Sequence, residues 1–355
     1  CRFLDTPVFR SATLDSLFLN GSCLHEGLSA GRLKAKGSVF LKEVKVEGEV
    51  KMLGATLGGD LVCEEAKFSN AEAAALNLDG INIAGAFFWR NGAEVKGVLD
   101  LTAATVGRLN DDSDCWPKAH GDLLLDRFRY GAITSACVDA KTRKKWLALQ
   151  DPAKFGKDFW PQPYEQLAKV LREMGHRGDA REILIEKEKL QREDRRRRLR
   201  REYLFEDAFW FGLWDWVLAI TVRYGHRPLR AFAWLLGIWL LGAAVFYIAA
   251  ENDAFKPNTS RILISEAWMD CAGQDPSQPA CYLETDPAQS YPKLNVLVYS
   301  ADTLLPIVDL EMQSNWIPDE NVMPWARRYL WIQIIMGWAL SLLAVAGFSG
   351  LIKSD

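Results

Sequence analysis

The residue types that most often carry chemistry are sparse and scattered in this sequence. Seven cysteines occur without a CxxC pair or a regular spacing: Cys1, Cys23, Cys63, Cys115, Cys137, Cys271 and Cys281. Four histidines have no Cys, Asp or Glu at ligand spacing: His25, His120, His176 and His226. Nucleophilic, redox and metal-dependent catalysis each need such a cluster. The sequence therefore predicts no catalytic residue, no cofactor, no metal site and no enzyme activity.

Positive charge is concentrated near the middle of the chain, where six arginines fall within seven positions and three more follow. These arginines are Arg195, Arg196, Arg197, Arg198, Arg200, Arg201, Arg223, Arg227 and Arg230. Such a group binds nucleic-acid phosphates or anionic lipid headgroups, or forms the solvated face of a long helix. The whole chain has a net charge of −3, whereas a nucleic-acid-binding domain is usually basic throughout. We therefore expect the anionic headgroups of a bilayer, and not nucleic acid, as the partner of these arginines.

Two apolar runs beyond the arginines are long enough to cross a bilayer. The segment 229–250 has one charge in its first turn, and the segment 329–352 has none. About 20 helical residues cover the hydrocarbon core. The alternative is a pair of buried helices in a soluble core, but core helices rarely stay apolar on all sides for this length. We predict two transmembrane helices.

The basic residues also predict the orientation of these helices. The segment 251–325 between the spans holds three basic residues against twelve Asp or Glu, whereas the arginine cluster precedes the first span. By the positive-inside rule, the N-terminal part and the C-terminus lie in the cytoplasm. Arg327 and Arg328, at the outer end of the second span, are evidence against this orientation.

A shorter apolar stretch, 208–222, lies between the arginine cluster and the first span. It has fifteen residues and is basic at both ends, so a span here would violate the orientation rule. We predict a helix in the inner interface, anchored by Trp210, Trp214 and Trp216.

The first 109 residues alternate apolar and polar positions around a recurring glycine. Gly37, Gly48 and Gly59 are eleven residues apart, and each opens a short strand. Short strands at a fixed period indicate a solenoid, in which each coil buries its inner face on its neighbours. Eleven residues make half a coil, so we expect a turn of about 22 residues with four short faces. A β-sandwich is the alternative, and the regular spacing of the repeat argues against it.

This pattern resembles a degenerate form of the pentapeptide-repeat, right-handed β-helix. Its inner positions hold Ala, Val, Leu, Ile and Phe, and the stretch Ala75 to Asp79 echoes the A-(D/N)-L-x-x repeat. With its two apolar runs, the chain resembles bacterial proteins that join such a solenoid to a two-span membrane end. The resemblance implies that the solenoid is a scaffold or a binding surface without catalytic activity. Asp111, Asp112 and Asp114 break the repeat, and we interpret them as a solvated insertion in preference to a metal site.

Helical periodicity appears between the solenoid and the arginines. The run from Pro163 to His176 predicts one helix, and Asp179 is placed to cap a second that continues through the arginines. The apolar stripes that should join them are Leu167, Val170, Leu171 and Met174 on the first, and Ala180, Ile183 and Leu184 on the second. The pair resembles one tetratricopeptide-type hairpin, which implies a rigid adaptor because one unit is too few for a binding array.

The segment between the spans is too long for a plain connector. Cys271 and Cys281 are ten residues apart and form a candidate disulfide, because an oxidising compartment permits one there. The stretch 294–310 begins as a short apolar helix, which is followed within the stretch by the break at Pro306 and the acidic Asp309.

Placed between two spans, this order resembles the span, pore-helix, span plan of two-transmembrane cation channels, although the filter glycines of that family are absent. The resemblance implies an ion path at Asp302, Thr303, Asp309 and Glu311. The alternative is an amphipathic helix that lies on the outer membrane surface. Small residues in the second span favour close helix packing within or between chains: Gly337, Ser341, Ala344, Gly347 and Gly350.

Together these patterns predict a β-solenoid, then an α-helical connector, then two transmembrane α-helices. The expected segments are the solenoid 1–140, the connector 141–202, the interfacial helix 203–228, the first span 229–250, an extracytoplasmic loop 251–328 and the second span 329–352. We expect a membrane-anchored scaffold or sensor of the bacterial inner membrane, whose solenoid binds a cytoplasmic protein partner. The alternative is a homo-oligomeric ion channel or pore-forming effector gated by the solenoid.

Overall fold

The computed structural model describes residues 1–155, 159–201, 205–221, 223, 229–274 and 277–349. The chain divides into two compact units, with the boundary after Ala208. The first unit contains the repetitive segment and the connector, and the second contains the two long apolar helices.

The first unit is a β-solenoid of about six turns. Its strands are β1 Arg2–Phe3, β2 Thr13–Leu14, β3 Leu17–Phe18, β4 Cys23–Leu24, β5 Leu28–Ser29, β6 Lys34–Ala35, β7 Val39–Phe40, β8 Lys45–Glu47, β9 Val50–Lys51, β10 Thr56–Leu57, β11 Leu61–Val62, β12 Lys67–Asn77, β13 Asn82–Trp89, β14 Glu94–Asp100, β15 Thr105–Asp111, β16 Leu123–Leu124 and β17 Arg129–Ile133. All of them pair in parallel with the strand one coil away, which confirms the predicted solenoid.

The strand register confirms the period of 22 residues in the regular coils. Lys45 pairs with Cys23 on one side and with Lys67 on the other. Later coils are longer, because Lys67 pairs with Glu94 and Thr105 with Arg129. The inner residues of successive strands are fully buried and stack into one apolar core, which is the main stabilising contribution in such a fold.

The half-coil repeat of eleven residues has a backbone cause. The chain turns through left-handed conformations at Arg32, Glu43, Gly54 and Glu65, which are eleven residues apart. Glycine is needed at a different position, where neighbouring coils approach closely. A Cβ atom on Gly59 would lie 2.9 Å from the carbonyl carbon of Gly37, one coil away.

A buried ion pair closes the C-terminal end of the solenoid. Both carboxylate oxygens of Asp111 accept hydrogen bonds from the guanidinium of Arg143 at 2.8 Å, and the indole of Trp116 donates to the same carboxylate at 2.7 Å. Asp111 is 1 % exposed, so its interpretation as part of a solvated insertion is wrong. A buried carboxylate needs a paired cation, and the connector supplies it from 32 residues further along the chain.

In its described residues, the connector contains three α-helices and a short 3₁₀ helix at Pro152–Phe155. The α-helices are α1 Ala140–Leu147, α2 Gln162–Glu173 and α3 Arg177–Arg201. The predicted apolar stripe joins α2 to α3, with Leu167, Leu171 and Ile183 fully buried. The predicted cap is wrong in one respect: α3 begins at Arg177, and Asp179 accepts a hydrogen bond from the backbone N–H of Ala140 at the start of α1.

The helix α4, Phe205–Thr221, crosses the boundary between the units. The remaining elements are α5 Leu229–Glu251, β18 Phe255–Pro257, α6 Ser260–Leu263, α7 Glu266–Asp270, α8 Gln278–Leu283, the 3₁₀ helix Asp286–Ser290, α9 Val296–Leu304, α10 Met312–Asn315, β19 Trp316–Pro318 and α11 Pro324–Ser349. The strands β18 and β19 pair antiparallel and hold together the two ends of the segment between the spans. The helix α11 begins five residues before the predicted span, at a proline suited to a first helical turn, and therefore includes Arg327 and Arg328.

Candidate functional site

The long helices α5 and α11 expose most of their apolar surface. Both are long and apolar enough to span a membrane, and in their most apolar 18-residue stretches only 22 % and 28 % of the residues are buried. The exposed side chains include Phe232, Leu236, Leu240, Leu241, Ile248, Trp331, Ile332, Ile335, Trp338, Leu342 and Val345. A core helix of a soluble protein would bury these side chains, so the arrangement fits a lipid environment better.

The short helix α9 packs against both long helices, and two glycines allow the close approach. A Cβ atom on Gly337 of α11 would lie 2.8 Å from the carbonyl carbon of Leu304 in α9. A Cβ atom on Gly242 of α5 would lie 2.5 Å from the hydroxyl oxygen of Ser300. The predicted role of Gly337 in close helix packing is therefore found within one chain, between α11 and α9. The described side chains of α11 end before Gly347 and Gly350.

A network of buried polar groups lies where α5, α9 and α11 meet. The side-chain amide of Gln333 donates to the carbonyl oxygen of Ser300 at 2.8 Å, and it lies 3.2 Å from the hydroxyl of Thr303. The hydroxyl of Ser300 donates to the carbonyl oxygen of Trp239 at 2.8 Å. Hydrogen bonds of this kind stabilise helix association where no water competes for the donors and acceptors.

The predicted ion-path residues separate into two groups. Asp302 is buried, and its carboxylate accepts hydrogen bonds from the backbone N–H groups of Leu310 and Gln313, both at 2.7 Å. Thr303 is also buried, and its hydroxyl bonds to the carbonyl oxygen of Tyr299. Asp309 and Glu311 are exposed. Within one chain, Asp302 binds the loop after α9, Thr303 bonds within α9, and of these four residues only Asp309 and Glu311 are exposed.

The two predicted cysteines of the intervening segment form a disulfide. Cys271 and Cys281 are bonded, with their Cα atoms 5.7 Å apart. Trp268 and Tyr282 pack edge to face beside the bond, at a ring-centroid distance of 5.5 Å. The disulfide therefore joins the short helices α7 and α8 into one small cluster.

The arginine cluster lies on the last two turns of α3. Arg197 pairs with Glu193 and Arg198 with Asp194, each at 2.9 Å and one helical turn apart. These pairs reduce the local positive charge, which the sequence pattern alone overstates. Arg230 is exposed in the first turn of α5, Arg223 is half-buried, and Arg227 lies outside the described residues. Trp216 on α4 is 62 % exposed, and the side chains of Trp210 and Trp214 lie outside the described ones, so their role as interfacial anchors stays a prediction.

Sequence reasoning did not identify the Gln333 network. The available signal was a single amide inside an otherwise apolar run, because a polar side chain within a span usually has a specific partner. That partner, Ser300, is 33 residues away and becomes evident only when α9 and α11 pack together.

Comparison of the chain with family models, with curated proteins and with solved structures found no match. Within the described ranges, no group of three or more His, Cys, Asp or Glu side chains is placed to hold a metal ion. The resemblances to pentapeptide-repeat proteins and to cation channels therefore stay predictions.

Proposed function

We propose that this protein is a membrane-anchored scaffold or sensor, in which the solenoid binds a cytoplasmic protein partner and the second unit holds it to the membrane. One observation carries the proposal: the two units have opposite surfaces. The solenoid buries most of its apolar residues, whereas α5 and α11 expose many of theirs. A chain of this kind is stable only when the second unit is in lipid and the solenoid is in water.

Two features support a cytoplasmic solenoid. The segment between α5 and α11 contains few basic residues, whereas the arginine cluster precedes α5 in the chain. By the positive-inside rule, the part of the chain before α5 is then cytoplasmic. The same segment contains the Cys271–Cys281 disulfide, and disulfides persist in oxidising compartments outside the cytoplasm. The five other cysteines, all before α5, are free thiols.

The exposed thiol of Cys137 provides a direct test of this orientation. In intact bacterial cells that express the chain, we expect a membrane-impermeant maleimide to leave Cys137 unmodified, and permeabilised cells to be labelled fully. The test chain carries Cys1→Ser, because the thiol of Cys1 is also exposed. The matched control carries Cys1→Ser and Cys137→Ser together. Labelling of Cys137 in intact cells contradicts a cytoplasmic solenoid, and recovery of the protein in the soluble fraction contradicts membrane anchoring.

A homo-oligomeric ion channel is the second candidate, and the packing of α9 between the two spans favours it. Asp309 and Glu311 are the exposed carboxylates beside α9, so they would line a path between several copies. Currents recorded in planar bilayers would test this, with Asp309→Asn and Glu311→Gln lowering cation selectivity. An oligomer without conductance would exclude the channel and leave the scaffold as the better account.

A further inference from the structure

The short helix α9 contacts α5 far from the ends of that long helix. The carbonyl oxygen of Leu297 accepts a hydrogen bond from the indole of Trp239 at 2.9 Å, and the hydroxyl of Ser300 lies against Gly242. Gly242 is nine residues before the end of α5 at Glu251, which corresponds to about 14 Å along the helix. When α5 spans the bilayer, these contacts place α9 inside the bilayer and not on its outer surface.

The contacts of α9 with α11 indicate how far it descends. Gln333 is nine residues after the start of α11 at Pro324 and donates to the carbonyl oxygen of Ser300. Gly337 is thirteen residues after that start and lies against the carbonyl group of Leu304. Thirteen residues correspond to about 20 Å along a helix that is about 39 Å long. The C-terminal end of α9 therefore lies near the middle of the bilayer.

The chain then returns to the side from which it came. The indole of Trp316 donates to the carbonyl oxygen of Pro292 at 2.8 Å, so the two ends of the segment 292–316 are joined. Trp316 also begins β19, which pairs with β18 just beyond the end of α5. The segment 292–316 is thus a re-entrant segment, and its tip is the non-helical stretch Leu305–Glu311 between α9 and α10.

A buried carboxylate satisfies part of the backbone of this tip. Asp302 is 7 % exposed, and its two oxygens accept hydrogen bonds from the backbone N–H groups of Leu310 and Gln313, both at 2.7 Å. Water cannot supply these bonds in the hydrocarbon region, so a backbone that leaves the helix there needs acceptors from the protein. Asp302 is suited to this structural role at the depth that the helix contacts give.

The rest of the tip is not covered within one chain. Ile307 is 88 % exposed and Val308 is 47 % exposed, and Asp309 and Glu311 are exposed beside them. Lipid is a poor cover for this surface, because irregular backbone and charged side chains at this depth are tolerated only where protein buries them or a water-filled cavity meets them. The tip is therefore incomplete in a single copy of the chain.

We infer that the tips of several copies of this chain complete one another around a water-filled space near the middle of the bilayer. The inference rests on the proposed membrane anchoring of the second unit. It goes beyond the proposed functions because it assigns a contact between copies, which exists whether or not the space conducts ions.

Each copy carries both surfaces that such an assembly needs. Leu240 on α5 and Trp338 on α11 are exposed and lie within one helical turn of the depth of the tip. Ile307 of one copy packs against an apolar helix face of its neighbour. Because the tip and the helix face are different surfaces, the same contact repeats from copy to copy and closes a ring. Asp309 and Glu311 of all copies then face the axis, where water separates the like charges.

Spin labelling of the full chain in liposomes tests the inference. The test variant is Ile307→Cys, in a background of Cys1→Ser, Cys23→Ser and Cys137→Ser that removes the free thiols that are not buried. The matched control is Ile264→Cys in the same background, because Ile264 is also an isoleucine of the second unit, is 80 % exposed and lies outside the re-entrant segment. We expect dipolar broadening between nitroxides at position 307 and none at position 264. The broadening should be lost when most of the thiols carry a diamagnetic analogue of the label.

Absence of broadening at position 307 overturns the inference. In that case, relaxation by oxygen dissolved in the bilayer would show that lipid covers the tip, and protection from oxygen would show that a different protein does. Equal broadening at positions 264 and 307 also overturns it, since it would reflect aggregation of the copies. Recovery of the chain in the soluble fraction refutes the membrane anchoring itself, whereas a membrane-bound chain without broadening refutes only the contact between tips.

Discussion

The two units of this chain differ in the side chains that they bury and expose. In the solenoid, buried positions such as Leu57 and Phe68 are apolar, and Asp111, paired with Arg143, is the exception among the charged side chains of the described coils, which otherwise are not buried. In the second unit, the helices expose leucine, isoleucine and tryptophan, while Ser300, Thr303 and Gln333 are buried between them. The hydrophobic effect holds the coils together. The helices α5, α9 and α11 are joined by an apolar cluster, by close helix approach and by internal hydrogen bonds, and the last two would also hold them together in lipid.

The largest expected effect compares one leucine from each unit. Leu57 is fully buried in the solenoid, and Leu236 is 55 % exposed on α5. Leu57→Ala should destabilise the solenoid by about 2–5 kcal/mol through lost burial and a cavity. Leu236→Ala should change the stability of the second unit by less than about 0.5 kcal/mol, because more than half of this residue is exposed and little burial is lost.

Hydrogen exchange, which reports the stability of each unit separately, measures both values in the full chain. If Leu236→Ala proves as costly as Leu57→Ala, the exposed face of α5 must be packed against protein, and the contrast between the units fails.

A smaller effect tests how the second unit is held together. Gly337→Ala places a methyl group against the carbonyl carbon of Leu304, so it should cost about 1–3 kcal/mol and speed exchange at the amides of α9. Gly237→Ala on α5 is the matched control, because nothing lies within 4 Å of its Cβ position. It should be neutral or favourable, since alanine is a better helix former than glycine. If the two substitutions change stability and hydrogen exchange equally, α9 does not pack closely against α11 at Gly337.

The smallest effect concerns the surface of the solenoid. Partial burial, and then the nearby carboxylate of Asp100, raise the pKa of Asp79, and Arg127 opposes this shift. A raised pKa in the folded state means that the stability contributed by protonated Asp79 is complete below the unfolded-state pKa of about 3.9, and is lost as the pH rises through the folded-state pKa. Asp79→Asn should therefore stabilise the solenoid by up to about 0.5 kcal/mol at pH 7 and have no effect at pH 3. Urea unfolding at both pH values checks this, and a loss of stability at pH 7 would mean that attraction to Arg127 dominates.

Features with local or periodic signals were predictable from the sequence. The eleven-residue repeat predicted the coil of 22 residues, because the turns recur at Arg32, Glu43, Gly54 and Glu65 and each coil must align with the one before it. Length and composition predicted α5 and α11, and the break at Pro306 predicted the end of α9.

Features that depend on contacts between distant residues were not predictable in this way. Asp111 was expected in solvent, yet it is buried against Arg143. Asp302 was expected in an ion path, yet within the chain its carboxylate binds two backbone amides of the following loop. In both cases the sequence indicated that the aspartate is unusual for its segment. Which group it binds depends on the packing of elements that are separate in the chain.

The sequence by itself therefore determined the solenoid and its period, the two long apolar helices and the short helix between them, because each depends on a repeat or on composition within one segment. Only the tertiary structure decided which polar groups are buried and which glycines bear close contacts. Those features depend on distances between segments that are far apart in the chain, and no local pattern encodes such distances.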